Sequence, residues 1–113
     1  MLTRARRLVN PLDFKRVVRR GGRFAGAFLV VYVDGSGGGF GRAGFIVAKS
    51  VGGATVRNLV KRRLRAATAE LIERVSGDLV VRALPSSALA TYAELQAELA
   101  QFIDRANARQ TKP

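Results

Sequence analysis

Gly44-Phe-Ile-Val-Ala-Lys49-Ser-Val-Gly-Gly-Ala-Thr-Val-Arg57-Asn-Leu-Val-Lys61-Arg-Arg-Leu-Arg65 is the stretch that decides the fold. It opens with strand-like β-branched and aromatic residues, breaks at Gly52-Gly53, and then begins a helix. From Val56, apolar residues recur at Val60, Leu64, Ala67, Leu71 and Val75, in steps of three or four. That spacing predicts one buried stripe on a helix spanning about 55 to 75, with Thr55 as N-cap and Gly77 as stop. A strand, a tight turn and a long amphipathic helix in succession require a sheet with helices packed on it.

On the N-terminal side, Asn10-Pro11-Leu-Asp13 reads as an N-cap, a first-turn proline and a third-position acid, and Gly21-Gly22 supplies a stop. The first helix is therefore expected over about 11 to 20, with Leu12, Phe14, Val17 and Val18 on a mixed face and Lys15, Arg16, Arg19 and Arg20 on a basic flank. Arg23 to Val33 reads as a strand, residues 34 to 41 as a glycine-rich connector, and Arg42 to Lys49 as the returning strand of an antiparallel hairpin. A further short strand is expected near Val51. On the C-terminal side, Leu79 to Leu84 is a strand ended by Pro85. Thr91 to Glu94 has capping-box spacing, and Tyr92, Leu95, Leu99, Phe102, Ile103 and Ala106 mark a last amphipathic helix. The tail from about residue 107 is expected to fray. The order α, β, β, α, β, α predicts a single-domain α+β fold over residues 1–113, an α-β sandwich of helices on a small sheet, with a basic N-terminal arm at 1–9.

The chain has no cysteine and no histidine, so thiolate and imidazole chemistry is absent and a self-sufficient protein active site or zinc site is not expected. The charged start Met1 to Arg7 runs into Leu8-Val9-Asn10-Pro11 rather than an apolar stretch, and the main apolar run, around Phe28 to Val33, falls far short of the roughly 20 residues that cross a bilayer. A cytoplasmic protein with no membrane partner is expected, and nothing in the sequence calls for an obligate protein partner.

The net charge is +12, and its distribution is uneven: residues 1–65 hold fifteen basic and two acidic residues, whereas residues 66–113 hold five and six. Nucleic acid is the expected counter-charge. On a helical wheel Arg57, Lys61, Arg65, Asn58 and Arg62 sweep roughly 100° to 240° from Val56, opposite the apolar stripe. Arginine forks suit phosphate and asparagine suits a base edge or ribose hydroxyl, so structured RNA fits this face. Gly52 and Gly53 put the helix N-terminus, with its free amides, beside Lys49 and Arg57, a candidate phosphate seat. Gly44 to Ser50 does not make a nucleotide-binding loop, since Ala48 replaces the required glycine. Phe14 and Tyr32 are the aromatic candidates for stacking unpaired bases. Glu70, Glu73, Asp78, Glu94, Glu98 and Asp104 read as scattered over helix ends and outer faces, so no metal ligands are expected.

The stretch from Gly44 to Arg65 closely resembles the signature of the protein component of bacterial ribonuclease P. The Arg7-Leu-Val-Asn-Pro-Leu-Asp-Phe14 segment with Gly21-Gly22, the Asp78 to Leu84 strand and Thr91-Tyr-Ala-Glu94 follow in the same order. The resemblance implies an α-β sandwich similar to one domain of a ribosomal protein, with a mostly antiparallel sheet and a left-handed βαβ crossover. It implies that a catalytic RNA subunit, holding most of the magnesium ions, removes the 5′ leader from precursor tRNA with this chain as accessory subunit. Arg57 and Asn58 match the start of the family's Arg-Asn-Arg motif, and Leu59 stands at its third position. Lys61, Arg62 and Arg65 follow as RNA-subunit contacts, and Arg63 is the expected stand-in for the missing arginine. Phe14, Tyr32 and Lys49 match positions facing the leader. Val18 replaces a frequent aromatic, and Leu84 an arginine for which Arg82 is the expected substitute. The rival reading is a ribosomal or ribosome-assembly RNA-binding protein of the same fold.

Overall fold

Asn10 starts the first helix as expected: its Oδ1 accepts the Leu12 N–H at 2.9 Å, and Pro11 occupies the first turn. In the computed structural model, which describes residues 2–35 and 39–110, the elements run α1 (Pro11–Arg20), β1 (Gly22–Ala25), β2 (Leu29–Asp34), β3 (Arg42–Ile46), α2 (Ala54–Leu71), β4 (Asp78–Ala83) and α3 (Tyr92–Gln110). Part of the glycine-rich connector, 36–38, and the tail residues 111–113 lie outside the described residues.

The sheet order is β1-β2-β4-β3, with β1–β2 and β2–β4 antiparallel and β3–β4 parallel. This corrects the expected hairpin: β4 lies between β2 and β3, and β3, α2 and β4 form a βαβ crossover. The reason is burial. Leu79, Val80 and Val81 are fully buried, so their strand needs neighbours on both edges and cover on both faces. The expected strand over 23 to 33 is two strands joined by a turn. There the Glu98 carboxylate accepts the backbone N–H groups of Ala27, Phe28 and Leu29 at 2.7, 3.0 and 2.7 Å. Gly26 lets the carboxylate close onto this turn, because a Cβ there would overlap it and push it off the three amides. Removing it in Glu98→Ala is expected to cost about 2 to 3 kcal/mol, since the Leu29 amide is left in a buried site. Urea denaturation would measure this; a loss below about 0.5 kcal/mol would mean water replaces the carboxylate.

Residues Lys49–Val51 form a 3-10 turn rather than the extra strand, and Gly53, not Thr55, is the N-cap of α2. The α2 stripe is buried at Val60, Leu64, Ala67 and Leu71 and half-buried at Val56, but the helix ends at Leu71 rather than near 75: Ile72–Arg74 form a 3-10 turn, and the buried Val75 lies beyond it in extended backbone. With α3 and the Leu29, Val31, Leu79 and Val81 side of the sheet the stripe makes the main core, where Phe24 and Phe102 stack at 5.9 Å. The Thr91–Glu94 capping box closes as expected, with bonds of 2.9 and 3.1 Å. Helix α3 runs on to Gln110, past the expected fraying point, and Asn107 Nδ2 donates to the Arg74 carbonyl at 2.8 Å.

Helix α1 covers part of the opposite sheet face through a smaller cluster of Leu8, Val17, Val30, Tyr32 and Val80. Carboxylates fix its position. Asp34 and Asp78, paired across β2 and β4, are only 5% and 6% exposed. Arg16 of α1 donates to Asp34 at 2.6 Å and to Asp78, while Arg42 donates to Asp78 through Nε at 2.9 Å and Nη2 at 2.8 Å. Asp78 is thus not on an outer face, as expected from sequence, but under two guanidinium groups.

Candidate nucleic-acid interface

Side chains on the α1 face of the sheet follow from the register. Val30, Arg82 and Ile46 stand abreast on β2, β4 and β3, one step beyond Tyr32, Val80 and Gly44. Phe14 and Val18 on α1, with Lys15 and Arg19, meet Ile46 around an open concavity of about 390 Å³. Phe14 also lines a second concavity, of about 180 Å³, with Arg7, Leu8, Phe45, Lys61 and Arg65. Its ring lies directly on the backbone of Gly44, where any Cβ would overlap it. Phe14 is therefore a wall shared by two grooves, one half apolar and one ringed by three cations.

Of the five cleft residues, Phe14 and Val18 are brought together, and Val18 is 39% exposed. Arg82 is exposed on the same face, with Val30 and Ile46 as its cross-strand neighbours. Tyr32 is only 8% exposed, packed beneath α1, so it supports the cleft floor rather than offering a free stacking face. Lys49 is exposed on the turn after β3, which packs against the segment Pro85–Leu89. It does not line either groove.

The polar side of α2 divides into four. Lys61 and Arg65 turn into the groove with Phe14, and Asn58 and Arg62 face outward with Leu59, which is 37% exposed. Arg63 bends the other way, its Nη1 donating to the Ala90 carbonyl at 2.9 Å, and this tether limits its use in place of Leu59. Arg57 is held by Nε donation to the Gly52 carbonyl at 3.2 Å. No side chain caps the α2 N-terminus at Gly53, where a Cβ would meet nothing, whereas one at Gly52 would approach Val56 Cβ to 2.9 Å. The helix amides beside Arg57 thus keep the open geometry that suits an anion.

Sequence reasoning missed that the N-terminal arm is part of the site. Leu2 and Leu8 are 3% and 5% exposed, Arg7 bridges to Ala43 alongside β3, and the Leu8 N–H donates to the Ala43 carbonyl at 2.8 Å. Arg7 is thereby carried into the groove of Lys61 and Arg65. The available signal was the pair of leucines flanking a short basic run. Arg6 is spent on the fold, 2.9 Å from Glu73 and 3.9 Å over the Phe40 ring. Among the described residues no cluster of three or more acidic, histidine or cysteine side chains is placed to hold a metal ion, and no helix is long and apolar enough to cross a membrane.

Comparison with known proteins agrees with this architecture. The chain is 44% identical over 112 residues to the ribonuclease P protein component of Acidothermus cellulolyticus, covering 93% of this chain and 91% of that one. It is 47% identical over 97 residues to that of Kocuria rhizophila, covering 84% and 86%. A Staphylococcus aureus RNase P protein mutant superposes with a TM-score of 0.80 at 27% identity, over 91% of this chain and 89% of that one. The family model described as Ribonuclease P matches residues 2–107, and on these grounds the chain belongs to the ribonuclease P protein family and has the role of its protein subunit.

Proposed function

We propose that this chain binds a catalytic RNA through α2 and the N-terminal arm, and holds the single-stranded 5′ leader of precursor tRNA in the cleft between α1 and the sheet. The observation that carries the reading is the pair of grooves sharing Phe14, one presenting Arg7, Lys61 and Arg65 and the other Val18, Ile46 and Lys15. Clustered cations suit folded RNA phosphates, and an apolar floor with a basic rim suits an unpaired strand. Arg57, Asn58, Arg62 and the α2 N-terminus at Gly52 and Gly53 extend the first surface, and Arg82 extends the second. Arg63 contributes at the margin, through its alkyl stem and whatever donors the Ala90 tether leaves.

Bond breaking in this reading belongs to the RNA and its magnesium ions. The buried carboxylates of this chain do not fit magnesium, because Arg16 and Arg42 already fill the coordinating directions of Asp34 and Asp78. Action in the cytoplasm, on precursor tRNA, completes the proposal.

The deciding experiment is cleavage of precursor tRNA by the RNA subunit at low magnesium, with and without the protein. Stimulation that grows with leader length is the expected result. Stimulation indifferent to the leader would remove the cleft assignment, and none at all with RNA binding intact would favour a ribosomal type of RNA-binding protein. Arg57→Ala is expected to weaken assembly with the RNA subunit and to lower the salt dependence of binding by about 0.7 to 0.9 per lost phosphate contact. An unchanged slope would mean that Arg57 faces only solvent in the complex.

A further inference from the structure

Four arginines outside α2 gather at the β1 edge of the sheet. Arg20 ends α1 on one face, Arg105 and Arg109 come from α3 on the other, and Arg23 lies on edge strand β1 between them. All four are exposed, and among the described residues none has a carboxylate within ion-pair distance. The nearby acids are committed elsewhere: Glu98 to the Ala27–Leu29 amides, Asp34 to Arg16, and Asp104 to Arg74 at 3.6 Å. Two adjoining concavities of about 530 and 320 Å³ share Phe24 and Arg109 as lining residues. Arg109 is seated, not loose, with its guanidinium 4.7 Å over the Phe24 ring.

Charge on an edge strand commonly serves to block sheet-to-sheet pairing, but Arg23 alone would do that. The convergence of three more arginines from helices on both faces needs another cause. Arg20 also shares the outer surface of α1 with Lys15 and Arg19, and those two line the cleft. Basic groups therefore run without a break from the cleft, over α1, to the β1 edge. We propose that the β1 edge is a second RNA-backbone site, taking the phosphodiester chain of the single strand that leaves the cleft. The inference rests on the cleft holding a single strand, and it assigns a function to arginines in the half of the sequence that carries no excess of positive charge.

The test uses the full chain and fluorescein-labelled single-stranded RNAs of about 4 and about 16 nucleotides, the range of site sizes in single-strand grooves. Binding is followed against salt for the wild type, for Arg105→Gln, and for Arg105→Gln with Arg109→Gln, with thermal melts to confirm folding. The salt slope for the long strand is expected to fall by about 0.7 in the single variant and about 1.4 in the double, while the short strand is unaffected. Arg105→Gln alone keeps the Phe24–Arg109 contact, so it reports even if the double variant melts early. Unchanged slopes at both lengths would overturn the proposal, as would equal falls at both. So would dimers in sedimentation with RNA binding unaltered, which would mark the arginines as guards of the edge. Val18→Glu serves as the separate check on the cleft: if it spares short-strand binding, the cleft reading fails, whatever the long strand reports about the edge.

Discussion

Asp78→Asn is expected to destabilise the folded chain by about 3 kcal/mol, among the largest effects of any single substitution that keeps side-chain volume. The Asp78 carboxylate receives Arg42 through two nitrogens and Arg16 through one, and its side chain is 8% exposed. A neutral amide would remove the carboxylate that Arg42 pairs with, leave Arg16 to Asp34 and Asp13, and point an amide N–H at a guanidinium. The Arg16 and Arg42 side chains are 31% and 38% exposed, so water relieves part of the penalty and holds it at the lower end for broken buried pairs. Burial alone would raise the Asp78 pKa, but the hydrogen bonds from Arg42 and Arg16 outweigh it and hold the group below the usual carboxylate range. A depressed folded-state pKa contributes stability above the unfolded value, near about pH 4, that is lost as pH falls through the folded value. Urea midpoints at neutral pH and near pH 3 would test both halves. The variant should be weaker at neutrality and lose less on acidification, and equal midpoints at neutrality would show that the cluster carries no stability.

Tyr32→Ala should cost about 3 kcal/mol of stability as well, by leaving a cavity under α1 where Val17, Val30 and Val80 now close around the ring. Its effect on RNA should follow from that damage and fall on precursor and mature tRNA alike. Val18→Glu places a charge on an exposed side chain at the cleft mouth, so it should leave the melting temperature nearly unchanged while weakening binding only of RNA that carries a leader. Paired melting and binding curves for the two variants would separate a floor from a contact surface. Selective loss of precursor binding in Tyr32→Ala, with stability intact, would return Tyr32 to the list of leader contacts.

Most of the α2 stripe, the Asn10 and Thr91 caps and the polar side of α2 were legible because each rests on neighbours within a turn or two. What the sequence hid was long-range. The place of β4 depends on which strand is buried on both faces, and Leu79-Val-Val81 carried that signal only faintly. Asp34 and Asp78 look like surface acids until the register sets them side by side, and Tyr32 looks like a stacking platform until α1 lies over it. The Arg-rich β1 edge is assembled from residues more than eighty positions apart, beyond any local pattern.

The strand order also bears on how the chain is made. Every residue of the α2 and cleft surfaces except Arg82 precedes Gly77, yet β4, which bridges β2 to β3, follows it. During synthesis the most cationic part of the chain therefore leaves the ribosome with only the β1–β2 pair able to form, and β3 has no strand to join until the segment to Ala83 has emerged. Such non-local closure is slow and exposes strand edges while it waits. Repulsion among the cations of the N-terminal half opposes that closure, so polyanions that neutralise it should speed the docking of β4.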